Sequence, residues 1–294
     1  SVMLRRSPIY KVPSELASTS VHPYESQPDL LRGIVLIYVI TGAASGIGAA
    51  TAVRLRDSGH DVIGVDLAGT EIDADLSTPA GRAQVLQEIA SRTDVVDGVV
   101  PCAGLAGVPG RSGGLLTALN YFGAIELVSG LRGHLKRSAQ GAVVAIASNS
   151  VSTSPGVSEQ LVEACLAGDE SAACEIGEQV GGLGAYPSTK TAICRWVRRN
   201  AVLPEWTGAG ITVNAVAPGA TETPMVAEIR EDPMIGQFFD QFPIPVGRPG
   251  NPDEIAAAIT FLLGPDARFV CGSIVYVDGG TDALLRTDDW PTSL

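Results

Sequence analysis

The stretch that most limits what this chain can fold into is Thr41-Gly42-Ala43-Ala44-Ser45-Gly46-Ile47-Gly48. Before it, Ile34 to Ile40 is an unbroken apolar run of β-branched and aromatic residues, the composition of a strand buried on both faces of a parallel sheet. After it, Ala49 to Arg56 has the composition of a helix. A strand, a glycine-rich turn and a helix in that order form a phosphate-binding corner. Glycines let the backbone approach an anion, and the unpaired N–H groups at the helix start supply donors and partial positive charge.

The rest of the chain repeats the strand-then-helix rhythm. Asp61 to Asp66 reads as a second strand ending on an acid, where a carboxylate would accept the adenosine ribose hydroxyls and repel a 2′-phosphate. The expected cofactor is therefore NAD(H), with NADP(H) disfavoured. Pro79 to Ser91 is an amphipathic helix, Val95 to Val100 a strand, and Leu115 to Lys136 a long helix carrying Asn120. Ala142 to Ala147, Ile211 to Ala217 and Ser273 to Val277 read as strands, and Tyr186 to Val202 and Pro252 to Leu263 as helices. This alternation predicts an α/β fold: a Rossmann-type doubly wound parallel sheet in three layers. Ligands should sit beyond the carboxyl ends of its strands.

Bulk properties remove several classes of function. The 294 residues are 45% apolar with net charge −12 and no basic stripe, which argues against nucleic acid and anionic membrane surfaces as partners. The apolar run at the first strand is far too short to span a bilayer. Five cysteines without a Cys-x-x-Cys pair and only three histidines suggest neither a disulfide framework nor a metal site. Reduced thiols in a cytoplasmic protein are the expectation. Residues 1–33 are Ser-rich, punctuated by proline and without usable periodicity. They are expected to form an N-terminal arm, flexible or draped over the body, ahead of a single domain over residues 34–294.

Tyr186-Pro187-Ser188-Thr189-Lys190 carries the chemistry. Tyr186 and Lys190 share a helix face, and Pro187 is best tolerated if the helix is just beginning. A phenol near pKa ~10 is a poor acid or base at neutral pH. A neighbouring ammonium and a positive nicotinamide ring would lower it. Ser148, after an apolar strand, projects toward the same crevice and can donate to a substrate carbonyl as charge develops. Asn120 inside a helix is mildly unfavourable, which hints at a polar task such as holding a water beside Lys190.

Taken together, Thr-Gly-x-x-x-Gly-x-Gly at Thr41 to Gly48, Ser148 and Tyr186-x-x-x-Lys190 resemble the short-chain dehydrogenase/reductase family. The resemblance runs over about residues 34 to 285. It implies a catalytic tetrad of Asn120, Ser148, Tyr186 and Lys190. It also implies cofactor contacts at Gly42, Ser45, Gly46, Ile47, Gly48, Asp66, Asn120, Tyr186 and Lys190. Asp75-Leu76 would meet the adenine edge; without the family, Asp75 reads equally well as a helix N-terminal residue. Cys102-Ala103-Gly104 resembles the family's Asn-Asn-Ala-Gly loop, with Pro101-Cys102 in place of both asparagines. Pro218-Gly219-Ala220-Thr221-Glu222-Thr223-Pro224 resembles its Pro-Gly segment, where Thr221 or Thr223 would meet the nicotinamide carboxamide. Gly247-Arg248-Pro249 and Val277-Asp278-Gly279-Gly280 match the closing pattern.

The stretch between Ser148 and Tyr186 is far longer than in most of that family. Residues 152–184 form an insertion with two candidate helices, Val157 to Ala167 and Ser171 to Val180. With Gly181-Gly182-Leu183-Gly184-Ala185-Tyr186, this resembles the bacterial 3α-hydroxysteroid dehydrogenase/carbonyl reductase subgroup. It implies a changed subunit interface in a homodimer or homotetramer; a loop decoration is the alternative. Residues 222–246 are an expected lid, in which Met225, Val226, Ile229, Met234, Ile235, Phe238, Phe239, Phe242 and Ile244 suit either a cover over a hydrophobic substrate or core packing. The expected reaction is NAD-dependent interconversion of a steroid-like or cyclic secondary alcohol and its ketone. A non-catalytic NAD-binding sensor and an NAD-dependent epimerase or dehydratase are the alternatives.

Overall fold

Strands that are apolar on both faces must be covered on both faces, and this requirement organises the molecule. The structure, a computed structural model, describes residues 33–289 except Asp240, without the side chains of Phe238 and Phe239. The expected N-terminal arm lies almost entirely outside the described residues. By its internal contacts the chain divides at Ile34, and the sheet and its helices belong to the unit from Val35 onward.

In chain order the elements begin with β1 (Ile37–Thr41), α1 (Gly46–Asp57), β2 (Asp61–Asp66), β3 (Ile72–Asp73), α2 (Pro79–Arg92) and β4 (Gly98–Pro101). Then come α3 (Gly113–Thr117), a π turn (Ala118–Gly123), α4 (Ala124–Lys136), β5 (Ala142–Ile146), α5 (Ser150–Thr153), α6 (Glu159–Ala167) and α7 (Glu170–Asn200). The chain closes with β6 (Thr212–Pro218), α8 (Pro224–Glu231), α9 (Gly236–Phe239), α10 (Pro252–Leu263), β7 (Ile274–Val277) and α11 (Thr281–Leu285).

The strands form one parallel sheet in the order β3-β2-β1-β4-β5-β6-β7. Alternate residues feed opposite faces. In β1, Val39 joins one apolar cluster while Tyr38 and Ile40 join the other; in β5, Val143 and Ala145 oppose Ala142, Val144 and Ile146. The first cluster is covered by α2, α4, α6 and α7, the second by α1 and α10. Truncating a fully buried core side chain such as Leu131 to alanine would cost about 2–5 kcal/mol. The order reverses between β1 and β4, the switch point at which a doubly wound sheet opens its ligand crevice.

Three elements differ from the sequence reading. The expected helix over 115–136 begins at Gly113 and is interrupted by the π turn that holds Asn120. By length and composition alone Gly113–Lys136 could cross a membrane, but Leu116, Leu127, Leu131 and Leu135 are fully buried in the core. The second insertion helix and the helix of Tyr186 are two helices that meet without an intervening loop at Gly181, whose φ of 68° and ψ of 175° break the helical path, and α7 denotes both. Pro187 therefore stands inside a helix that restarts at the kink, rather than in its first turn. The two-residue strand β3 is too short to show any periodicity.

The insertion packs against the body of its own chain. A Cβ on Gly113 would sit 1.9 Å from the Gly177 carbonyl oxygen, so α3 and the front of α7 cross with backbones in contact. Arg82 of α2 is 2% exposed and pairs with Glu126 of α4 at 2.6 Å and Glu170 of α7 at 2.5 Å.

Candidate active site

The carboxyl ends of β1, β2, β4, β5 and β6 open onto one cavity of about 880 Å³. At one end it is lined by Gly42, Ser45, Gly46, Ile47 and Gly48. A Cβ on Gly48 would stand 2.1 Å from the Gly42 carbonyl oxygen, so only glycine lets α1 begin this close to β1. Ser45 is the N-cap of α1, yet its side chain caps nothing and no acidic residue lies in the first turn. By contrast α2, α6, α7 and α8 start under the side chains of Thr78, Ser158, Asp169 and Thr223. Apart from the Gly48 N–H, which meets the Cys102 sulfur, the first donors of α1 are left for an external anion, which fits the pyrophosphate of a dinucleotide.

Beside this corner Asp66 closes β2. Its Oδ2 accepts the Ala44 N–H at 3.0 Å and its Oδ1 the Leu67 N–H at 2.7 Å. A carboxylate has about four acceptor positions, so capacity remains for ribose hydroxyls. Asp75 and Leu76 also line the cavity. Asp75 accepts both the N–H and the hydroxyl of Ser77, at 2.9 and 2.7 Å, while Thr78 caps α2. Asp75 is thus a turn residue ahead of the helix and not its cap.

Cys102, Ala103 and Gly104 form the floor between the two ends. The buried Thr41 hydroxyl accepts the Ala103 N–H at 2.9 Å and fixes this loop to β1. Burial pushes the Cys102 thiol up to about 12, so it is a neutral lining group. On the far wall are Pro218, Gly219, Thr221 and Thr223. Thr221 donates to the Gly219 carbonyl at 3.0 Å, and Thr223 donates to the Thr221 carbonyl at 3.2 Å while capping α8. Both threonines hold the shape of the segment and offer a ligand acceptor lone pairs.

Ser148, Tyr186 and Lys190 meet at the centre. Lys190 Nζ donates to the Ile146 carbonyl at 2.8 Å and lies 5.9 Å from the centroid of the Tyr186 ring. Burial lowers the Lys190 pKa to about 8. Burial raises that of Tyr186, a hydrogen bond with Ser148 pulls it back, and the Cys102 thiol adds to the rise. The spacing of the two residues predicts that Lys190 lowers the phenol. With a positive nicotinamide ring beside it that lowering is expected to be larger; among the protein's own groups burial is the largest influence on the phenol and acts upward.

Asn120 is expected to support a water beside Lys190. It is 1% exposed and does not line the cavity. Its Nδ2 donates to the Leu105 carbonyl at 3.0 Å and its Oδ1 accepts the Leu105 N–H at 2.9 Å. The side chain clamps the loop beneath Gly104, with Oδ1 3.0 Å from where a Cβ on Gly104 would stand. A mid-helix asparagine signals a polar task, and the task of its amide is loop anchoring.

The other end of the cavity is apolar. Met225, Val226 and Ile229 of α8 line it, with Phe242 from the segment after α9. Among the expected lid residues Met234 turns to solvent, and Ile244 lies against Gly279, where a Cβ would meet it at 2.7 Å. The side chains of Phe238 and Phe239 lie outside the described residues. Sequence reasoning missed Glu228, which lines this end and pairs with Arg111. Nothing local marks a partnership across 117 positions. It also missed Thr153 and Ser154 on the α5 side of the wall.

Known proteins resemble this chain in sequence and in fold. Residues 36–158 match the short chain dehydrogenase family model, and residues 170–282 match the model described as enoyl-(acyl carrier protein) reductase. A 3-alpha-hydroxysteroid dehydrogenase/carbonyl reductase of Comamonas testosteroni is 40% identical over 255 residues, covering 85% of this chain and 98% of the relative. A cis-4-hydroxycyclohexanecarboxylate dehydrogenase of Sinomonas cyclohexanicum is 32% identical over 254 residues, covering 84% and 97%. The crystal structure of the 3-alpha-hydroxysteroid dehydrogenase from Pseudomonas sp. B-0831 complexed with NADH aligns with a TM-score of 0.82 at 44% identity, over 86% of this chain and 100% of the other.

Proposed function

The chain belongs to the short-chain dehydrogenase/reductase family of oxidoreductases that use a nicotinamide cofactor, and from that premise we propose that it interconverts a hydrophobic cyclic secondary alcohol and its ketone with NAD(H). One observation carries this reading. Tyr186, Ser148 and Lys190 stand midway along a cavity whose one end suits a dinucleotide and whose other end is apolar. The names of the relatives support the substrate class, since a steroid alcohol and a hydroxycyclohexane are both cyclic secondary alcohols.

In the reductive direction the substrate carbonyl would lie against Ser148 and Tyr186. The raised pKa of Tyr186 keeps its proton on the phenol oxygen, ready for transfer to the oxygen as negative charge grows there. The Ser148 hydroxyl donates to the same oxygen and stabilises that charge. Ser148 Oγ is itself oriented by the Ser150 N–H at 3.1 Å. Lys190, held by the Ile146 carbonyl, supplies positive charge beneath the phenol. In the oxidative direction Tyr186 takes the hydroxyl proton. The bound dinucleotide supplies the hydride acceptor or donor and, when oxidised, a positive ring that favours the phenolate. Asp66 favours free ribose hydroxyls and opposes a 2′-phosphate, which selects NAD.

The test is a panel of steroid and monocyclic secondary alcohols with NAD⁺. Stoichiometric NADH and ketone support the reading. Tight NADH binding with no turnover across the panel would favour a sensor. Stereoisomer or dehydration products without net NADH would favour the epimerase or dehydratase alternative.

A further inference from the structure

A charge pair at the substrate end of the cavity has no part in the proposed proton transfer. Arg111 lies in the loop after β4, and Glu228 on α8 lines the apolar end. Arg111 Nη1 donates to the Ala106 carbonyl at 2.9 Å and to Glu228 Oε2 at 3.2 Å, while Nη2 pairs with Glu228 Oε1. One guanidinium thus binds the cavity floor, of which Ala106 is part, to the lid. The Arg111 side chain is 18% exposed and that of Glu228 44%.

The insertion sets where Arg111 stands. After the kink at Gly181, a Cβ on Gly182 would lie 2.7 Å from the Val108 carbonyl oxygen and 3.0 Å from that of Arg111. The loop therefore rests directly on the restart of α7. Other charges nearby are engaged elsewhere: Glu222 pairs with Arg230 at 2.7 Å, and Glu178 accepts the Ser112 hydroxyl and the Gly114 N–H. Among the described lining residues the remaining charged groups are Asp66 and Asp75 at the adenosine end and Lys190 beneath Tyr186. Among the described lining residues Glu228 is the one charge at the substrate end, and Arg111 cancels it.

We propose that the Arg111–Glu228 pair determines which charge a substrate can carry: by neutralising Glu228, Arg111 lets the apolar end admit cyclic ketones and alcohols that bear a carboxylate as well as neutral ones. This rests on the alcohol–ketone reading above. Removing the guanidinium exposes a substrate carboxylate to a bare Glu228; removing the Glu228 charge leaves Arg111 to attract it. At a separation of about 7 Å and an effective dielectric of about 40, one unit charge changes kcat/KM roughly five- to tenfold.

The test compares reduction of 4-oxocyclohexanecarboxylate and its ethyl ester by the intact protein with NADH. Arg111→Met should lower the acid-to-ester ratio of kcat/KM about five- to tenfold, Glu228→Gln should raise it by a similar factor, and both shifts should shrink at high salt. The exchanged pair Arg111→Glu with Glu228→Arg should bring the ratio back to within about twofold of the wild type. The proposal is overturned if the ratio stays within about twofold in both single variants, or if acid and ester fall together, which would mark a purely structural contact. Failure of the alcohol–ketone reading looks different: the wild type would then bind NADH yet reduce neither compound, and the proposal would fall with it.

Discussion

Replacing Asp66 with asparagine removes a charge and almost no volume, so its effect on cofactor choice can be worked from the structure. Asp66 Oδ2 and Oδ1 hold the Ala44 and Leu67 N–H groups at 3.0 and 2.7 Å, which fixes the carboxylate at the mouth of the phosphate corner. A 2′-phosphate carries about −1.5 to −2 charges. At about 4 Å, each unit charge is repelled by about 1 kcal/mol in water and about 4 kcal/mol at an effective dielectric of 20. Asp66 is only half-buried, so the solvated end of that range applies and gives about 2–3 kcal/mol, roughly 30- to 150-fold in favour of NAD⁺. Asp66→Asn should therefore reduce the ratio of kcat/KM for NAD⁺ over NADP⁺ by at least about 30-fold. The NAD⁺ value itself should fall about five- to tenfold, because hydrogen bonds from the ribose to a charged acceptor become bonds to a neutral one. Initial-rate kinetics with one alcohol and both cofactors, plus a melting curve to show that the variant folds, make the assay. A wild type that prefers NADP⁺, or a ratio that moves less than about threefold, would refute the reasoning.

Gly48, Lys190 and Arg82 each carry a contact with a measurable consequence. Gly48→Ala places a methyl 2.1 Å from the Gly42 carbonyl oxygen; we expect about 1–3 kcal/mol of strain and NADH affinity at least about tenfold weaker by fluorescence titration. Lys190 titrates near 8 in the fold against 10.5 ordinarily, so between those values the unfolded chain binds more protons and wild-type stability rises with pH, by up to about 3 kcal/mol. Lys190→Met lacks that rise, so its melting temperature should exceed the wild type's most at pH ~7 and the gap should close toward pH ~10; a constant gap would contradict the assignment. Arg82→Met leaves Glu170, whose side chain is 25% exposed, without its guanidinium partner; urea unfolding should show a loss of about 3 kcal/mol.

Whether a feature was legible in the sequence depended on whether it is local in the chain. The corner from Thr41 to Gly48 and the spacing of Tyr186 and Lys190 are written in adjacent residues, because a tight turn and a helix face are short-range geometry. The same holds for the insertion helix α6, whose boundaries Ser158 and Gly168 cap it in place. The π turn at Ala118–Gly123 was not legible, since its sequence is an ordinary helical one and the clamp between Asn120 and Leu105 that accompanies it is tertiary. That the helix of Tyr186 begins at Gly181, ahead of Pro187, was not legible, because a proline reads as a first-turn residue although it is Gly181 that bends the chain. The sign of the Tyr186 shift required knowing how deeply the phenol is buried, which a spacing of four residues cannot say. Arg111 with Glu228, and Arg82 between Glu126 and Glu170, join charges from separate elements, so no window of sequence contains either.

If the Tyr186 phenol is the group that exchanges a proton with the substrate oxygen, single-turnover hydride transfer in Tyr186→Phe tests it most directly. The variant keeps the ring, its burial and the cofactor end of the cavity intact. NADH should bind with affinity within about threefold of the wild type, while the transfer rate from NADH to a cyclic ketone should fall about 10³-fold, the scale of a lost general acid. A variant that binds NADH and transfers hydride within about tenfold of the wild-type rate would contradict the central claim.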